Sequence, residues 1–388
     1  MARIREVVRG TQKIRPHKVE DEVSCQYQII EDTDGRPLVH LSTFGSNQRE
    51  SQPKSSQSLQ LTLENASDLM DVFRDAFGIS WGRRGKQSSP SDDAAPVFPD
   101  ATDELAKKLY MSRDWLQQCI DLLRDRPQLI FYGPPGTGKT YLAKALAEHL
   151  SSAENVKVVQ FHPSYSYEDF FEGFRPGRSS NGQVSYNLHQ GPLRLIAEDA
   201  RKNPGTLYPL IIDEINRGNL SKIFGELYYL LEYRGESINL LYSEKVEMFT
   251  LPKNVVIIGT MNTVDRSIAS MDSAMRRRFS FVHLHPSEEP TNGILRRWLA
   301  DKELPMEAAD LLDELNRTIE GRDFKVGPSY FMRRSSATGR GFDLAWTTSI
   351  LPLLEEIHFR DPSVDVHERY SLPRIRERYN RRITDPDA

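Results

Sequence analysis

Phe131-Tyr132-Gly133-Pro134-Pro135-Gly136-Thr137-Gly138-Lys139-Thr140 decides how this chain is read. It is a complete G-x-x-x-x-G-K-T phosphate loop in the required context. The apolar run 128–132 reads as a buried strand leading in, and apolar residues at helical spacing over 140–150 read as a helix leading out. Strand, glycine loop and helix N-terminus in that order aim backbone N–H groups at an anion. Lys139 would reach the β- and γ-phosphates, and the Thr140 hydroxyl would hold Mg²⁺. The expected nucleotide-binding residues are Gly133, Pro134, Pro135, Gly136, Thr137, Gly138, Lys139, Thr140 and Tyr141.

Outward from the loop, strand and helix patterns alternate. Strands are expected at 156–161, 208–212, 255–260 and 280–284, and helices at 192–201, 221–233 and 270–277, with a turn-rich insertion over 176–187. Such alternation argues an α/β fold, a parallel sheet with helices on both faces. Ligands of these sheets bind at the carboxyl ends of the strands. The α/β nucleotide-binding domain is expected over 101–286. A helical region over 287–365 follows, with Leu295, Leu299, Leu311, Leu312 and Leu315 at amphipathic spacing, and then a basic polar tail over 366–388. Upstream, 79–100 has the Ser, Pro, Gly and Asp content of a linker. Residues 1–78 read as a small α+β module with strands at 25–30, 37–43 and 56–63. Asp34-Gly35 signals a hairpin, and a helix starts at Asn65 or Ser67.

The third core strand ends in Asp213-Glu214. An aspartate there suits the metal's waters, and a glutamate beside it suits the attacking water. An Asp-Glu pair at a strand end is weak alone; its placement after a complete phosphate loop gives it weight. The next strand ends at Asn262, a candidate for positioning the water. Arg276, Arg277 and Arg278 close a short helix. Compensation of the helix dipole needs only one cation. A cluster of three suits an arginine finger serving a neighbouring subunit's γ-phosphate, with Arg277 and Arg278 favoured and the choice between them left open.

Composition sets bounds. At 388 residues, two or three domains are expected. A net charge of −4 excludes a global basic field, so any nucleic-acid contact is local. Two cysteines are too few for a disulfide framework or a Cys-rich metal site, which fits a reducing cytosol. There is no long apolar run for a membrane span and no signal-peptide core at the start. A soluble, cytoplasmic protein is expected.

Taken together, the loop, Asp213–Arg217 and the Arg276–Arg278 cluster resemble the AAA+ superfamily. More narrowly, four stretches resemble McrB-like motor subunits of McrBC-type, modification-dependent restriction systems. They are QFHPSYSYEDF at 160–170, DEINRGNLSKIFGE at 213–226, MNTVDRS at 261–267 and MRRRF at 275–279. Asn262, Thr263, Val264 and Asp265 look like that family's nucleotide signature, usually Asn-Thr-Ala-Asp, which adds Asp265 to the nucleotide site. GPSYF at 327–331 is similar to a motif of the family's helical lid, with Pro328 where His is more common. The resemblance covers about 125–360. It implies an AAA+ core with a C-terminal helical lid, hydrolysis of GTP or ATP with Mg²⁺, and a homo-oligomeric ring, usually hexameric. It also implies action on DNA and an McrC-like nuclease partner. These residues leave the choice between GTP and ATP open.

The N-terminal module does not resemble the family's methylcytosine reader. After the second strand, Phe44 could stack a base, with Arg49, Lys54 and Lys18 on phosphates. A plain hairpin of a protein-interaction module is the competing reading. Two further functions compete with a restriction motor. One is a MoxR-type remodeller of proteins, which shares the Asp-Glu-Ile-Asn-Arg run. The other is a defence-signalling ATPase using the ring as a switch. A neighbouring gene encoding a nuclease would separate them.

Overall fold

The computed structural model describes residues 2–3, 24–31, 37–44, 55–62, 65–66, 68–69, 72, 96–178, 184–242, 248–264, 273–359, 361 and 363–384. The chain forms two compact units, Met1–Ser88 and Ser89–Ala388. Among its described residues the first holds four strands, β1 (Ala2–Arg3), β2 (Ser24–Glu31), β3 (Pro37–Phe44) and β4 (Ser55–Leu61), in the order β1-β4-β3-β2. β2 and β3 pair antiparallel from Ser24 against Phe44 to Glu31 against Pro37, a hairpin register. Asn65, Ala66, Asp68, Leu69 and Val72 are helical. Phe44 ends β3, while Arg49, Lys54 and Lys18 lie outside the described residues.

The second unit is built on five parallel strands: β5 (Gln128–Gly133), β6 (Lys157–Gln160), β9 (Tyr208–Asp213), β12 (Val255–Asn262) and β13 (Ser280–His283). Their order is β13-β5-β12-β9-β6. Period-two geometry sends alternate side chains to opposite faces. Leu129, Phe131, Ile211, Val256 and Ile258 join one core with the helices Arg113–Asp125 and Lys139–Leu150. Ile130, Leu210, Ile212, Val255 and Ile257 join the other with Pro192–Lys202 and Leu227–Glu232. Burial on both faces is why the strands read as unbroken apolar runs. Because β12 lies between β5 and β9, the loop after β5 sits beside the tips of both, with Asn262 paired to Gly133.

Several elements differ from the sequence reading. The turn-rich insertion is an antiparallel hairpin, β7 (Glu172–Arg178) and β8 (Val184–Gln190). Its Pro and Gly content signals turns, yet Phe174 pairs with Leu188 and Pro176 with Tyr186, and a two-stranded ribbon tolerates proline at its edge. The helix expected over 221–233 is two, Leu220–Phe224 and Leu227–Glu232, broken at Gly225 with φ 47°. A short antiparallel pair, β10 (Ile238–Asn239) and β11 (Met248–Phe249), follows. Helices Asp103–Leu109 and Arg113–Asp125 precede β5; their signals were the N-caps Thr102 and Ser112. Within the expected linker, Phe98 packs on the α/β core and its carbonyl accepts from Arg124 Nη2 at 3.2 Å.

The C-terminal helices, including Ile294–Asp301, Glu307–Thr318 and Leu351–His358, surround a separate core with Leu299, Leu315, Trp346 and Tyr370 at its centre. The basic tail is also part of this lid. Helix Leu372–Thr384 buries Leu372 and Ile375, and Arg376 and Arg382 pair with Glu307 and Glu314 at 2.9 and 2.8 Å. Its apolar positions are sparse among arginines, which is why composition reads as solvated tail. Among the described residues, no helix is long and apolar enough to cross a membrane.

Candidate functional site

The loop after β5 is braced from within. Gly138 takes φ 89° as it opens the helix Lys139–Leu150, a left-handed conformation that glycine adopts without steric cost. Lys139 is buried, and Nζ donates to the carbonyls of Gly133 at 3.0 Å and Pro134 at 2.8 Å. Thr137 Oγ1 donates to Pro134 O at 3.1 Å. The ammonium therefore sits under the arch whose backbone N–H groups surround the helix N-terminus, the arrangement that attracts phosphate oxygens.

Three strand tips converge on this loop. Thr140 Oγ1 donates to Asp213 Oδ1 at 2.7 Å. Thr260 Oγ1 donates to the same oxygen at 2.6 Å and accepts from Glu214 N at 3.2 Å. Asn262 Nδ2 donates to Glu214 Oε1 at 2.5 Å, and Arg217 Nε lies 3.3 Å from Glu214 Oε2. Asn216 Nδ2 in turn donates to Asn262 O at 3.2 Å. The arrangement gathers Lys139, Thr140, Asp213, Glu214 and Asn262, residues named from sequence. It adds Thr260, Asn216 and Arg217, whose contacts depend on strand register.

A hydroxyl and a carboxylate within hydrogen-bonding distance form a hard oxygen set. It suits Mg²⁺, which keeps several waters and takes few protein ligands. Thr140 and Asp213 would hold the ion, which when bound offsets phosphate charge. Glu214 is the carboxylate placed beyond them, held by the Asn262 amide. Asp265 lies outside the described residues. Thr263 N, two residues before it, donates to Gly133 O at 3.2 Å.

Tyr141 is exposed at the rim of a cavity of about 340 Å³ beside Thr137 and Gly138. Leu109, Met111, Trp298 and Met332 wall it, so both the segment before β5 and the lid contribute. Such an apolar slot next to the phosphate loop has the character of a base pocket. The lid also touches the loop directly. Gly327 N donates to Pro135 O at 3.0 Å and Ser329 N to Gly136 O at 2.9 Å. A Cβ on Gly327 would lie 2.0 Å from Gly136 C and 2.3 Å from Thr137 N. Gly327→Ala is therefore expected to cost about 1–3 kcal/mol of lid-to-loop packing and to weaken nucleotide binding. Titration with a fluorescent nucleotide checks this, and an unchanged dissociation constant would refute it.

The arginines lie elsewhere. Residues 276–278 precede β13 while the loop follows β5, and the two strands are parallel neighbours, so cluster and loop are at opposite ends of the sheet. Arg276 and Arg277 are exposed. Arg277 pairs with Glu232 at 3.2 Å. Arg278 is buried, pairs with Glu232 at 2.9 Å and stacks 4.7 Å from the Tyr228 ring centroid.

A five-stranded parallel sheet, a phosphate loop at its centre and a helical lid resting on that loop define an AAA+ P-loop NTPase. Residues 128–279 match the AAA domain family (dynein-related subfamily), and 307–364 match the McrB alpha-helical lid domain. The chain is 40% identical over 347 residues to the type IV methyl-directed restriction enzyme EcoKMcrB subunit of Escherichia coli K12, spanning 84% of this chain and 73% of that protein. It is 28% identical over 325 residues to the type II restriction enzyme BsuMI component YdiS of Bacillus subtilis, spanning 72% and 93%. The chain belongs to the McrB-like family of AAA+ NTPases.

Proposed function

We propose that this protein is the NTP-driven motor of a McrBC-like restriction system. It assembles as a homo-oligomeric ring, acts on DNA and drives an McrC-like nuclease subunit in antiviral defence. The observation that carries this reading is the convergence of Lys139, Thr140, Asp213, Glu214 and Asn262 at three adjacent strand tips, in a chain 40% identical to a restriction-enzyme subunit. Lys139 and the loop bind the β- and γ-phosphates of GTP or ATP. Thr140 and Asp213 hold Mg²⁺, Glu214 polarises the attacking water and Asn262 positions it. The Arg276–Arg278 cluster serves a neighbour's nucleotide.

The test is to purify the chain with a nuclease encoded beside its gene and to incubate both with Mg²⁺, GTP or ATP, and methylated or unmethylated DNA. Cleavage that needs both proteins and a hydrolysable nucleotide is expected. DNA left intact on every substrate, by a pair that hydrolyses nucleotide and binds each other, would overturn the restriction role.

A further inference from the structure

Asp213 and Glu214 are adjacent in sequence and are given different work, so each has to be oriented separately. One buried side chain touches both. Thr260 is 2% exposed, and its Oγ1 donates to Asp213 Oδ1 at 2.6 Å while accepting Glu214 N–H at 3.2 Å. A hydroxyl has one proton to give and lone pairs to receive, so a single threonine meets both needs. Register explains its position. Thr260 pairs with Phe131 of β5, and the residue before it, Gly259, pairs with Ile212 of β9, which places the hydroxyl at the Asp213-Glu214 junction.

Packing alone does not call for this hydroxyl. The preceding β12 positions Val255, Val256, Ile257 and Ile258 are all buried aliphatics, and valine has the shape of threonine. At Asp213 the clamp acts with Thr140, whose hydroxyl donates to the same Oδ1 at 2.7 Å. At Glu214 it holds a backbone with φ 53°, a left-handed conformation uncommon for a residue with a Cβ. That conformation turns the chain at the strand tip where the Glu214 carboxylate meets Asn262.

We propose that Thr260 is a positioning residue for hydrolysis: its hydroxyl fixes the Asp213 carboxylate and the Glu214 backbone together. The inference rests on the roles given to Asp213 and Glu214 above. The experiment uses the full chain with Thr260→Val, Thr260→Ser and, as reference, Glu214→Gln. Thr260→Val is expected to lower kcat about 10–100-fold, the usual effect of losing an outer-shell partner. It should also raise the Mg²⁺ concentration giving half-maximal activity and reduce the gain in fluorescent-nucleotide affinity on adding Mg²⁺. Thr260→Ser, which keeps the hydroxyl, should restore most of each. A Thr260→Val chain with wild-type kcat and Mg²⁺ dependence would overturn the proposal while a dead Glu214→Gln leaves the hydrolysis reading standing. A loss in Thr260→Ser as large as that in Thr260→Val would show that the hydroxyl alone does not restore function and would also overturn the proposal. An unfolded Thr260→Val beside a wild-type Thr260→Ser would assign the hydroxyl to stability and likewise overturn it. Wild-type turnover in Glu214→Gln would remove the reading on which the clamp rests.

Discussion

Glu214→Gln should lower nucleotide turnover by about 10²–10⁴-fold, the range general-base catalysis supplies, while nucleotide binding stays close to wild type. The change removes the charge and basicity and keeps the shape. A glutamine Oε1 can still accept the Asn262 Nδ2 hydrogen bond that Glu214 accepts at 2.5 Å. The Glu214 N–H to Thr260 contact is backbone and persists. Lys139 and Thr140, which contact Gly133, Pro134 and Asp213, are untouched. The loss should therefore appear in kcat and not in affinity, the pattern of a group that acts on the reacting water. Phosphate release and a fluorescent-nucleotide titration measure the two separately. Turnover at the wild-type rate would eliminate Glu214 as the water-activating group.

What was legible in the sequence follows the physics of each element. The phosphate loop, the Asp213-Glu214 tip and Asn262 are legible because their chemistry demands particular residues at strand ends, and the strands leading to them are buried on both faces. Thr260 and Asn216 are not, because their roles arise from which strand lies beside which; β12 enters between β5 and β9 only in three dimensions. Composition misleads where a local signal has two uses. Pro176 and Gly177 suggest turns yet sit in a paired strand, and the arginines of 374–382 suggest a free tail yet ride a helix anchored by Leu372 and Ile375. In the triplet Arg276–Arg278, the sequence favours Arg277 and Arg278 without separating the two. Packing distinguishes them, burying Arg278 against Tyr228 and leaving Arg277 exposed.

That distinction shapes the second large effect. If an arginine of this cluster completes a neighbour's site, Arg277→Ala should lower turnover by as much as about 10³–10⁵-fold, the range for arginine fingers, while leaving the chain folded. Arg277 is exposed and, among the described residues, its side chain pairs with Glu232 at 3.2 Å, so truncation removes little packing. Arg278→Ala would lose the buried pair to Glu232 and the Tyr228 contact, so a lowered melting temperature is expected there. Since cluster and loop sit at opposite ends of the sheet, one chain cannot easily bring its own arginine to its own Lys139. Turnover per chain should therefore rise with protein concentration. Lys139→Ala chains lack a working phosphate loop, and Arg277→Ala chains lack the proposed finger. A mixture of the two can place an intact loop against an intact Arg277 at some interfaces and should regain part of the activity that each lacks alone. Specific activity independent of concentration, together with no rescue on mixing, would leave Arg277 as a surface partner of Glu232 and nothing more.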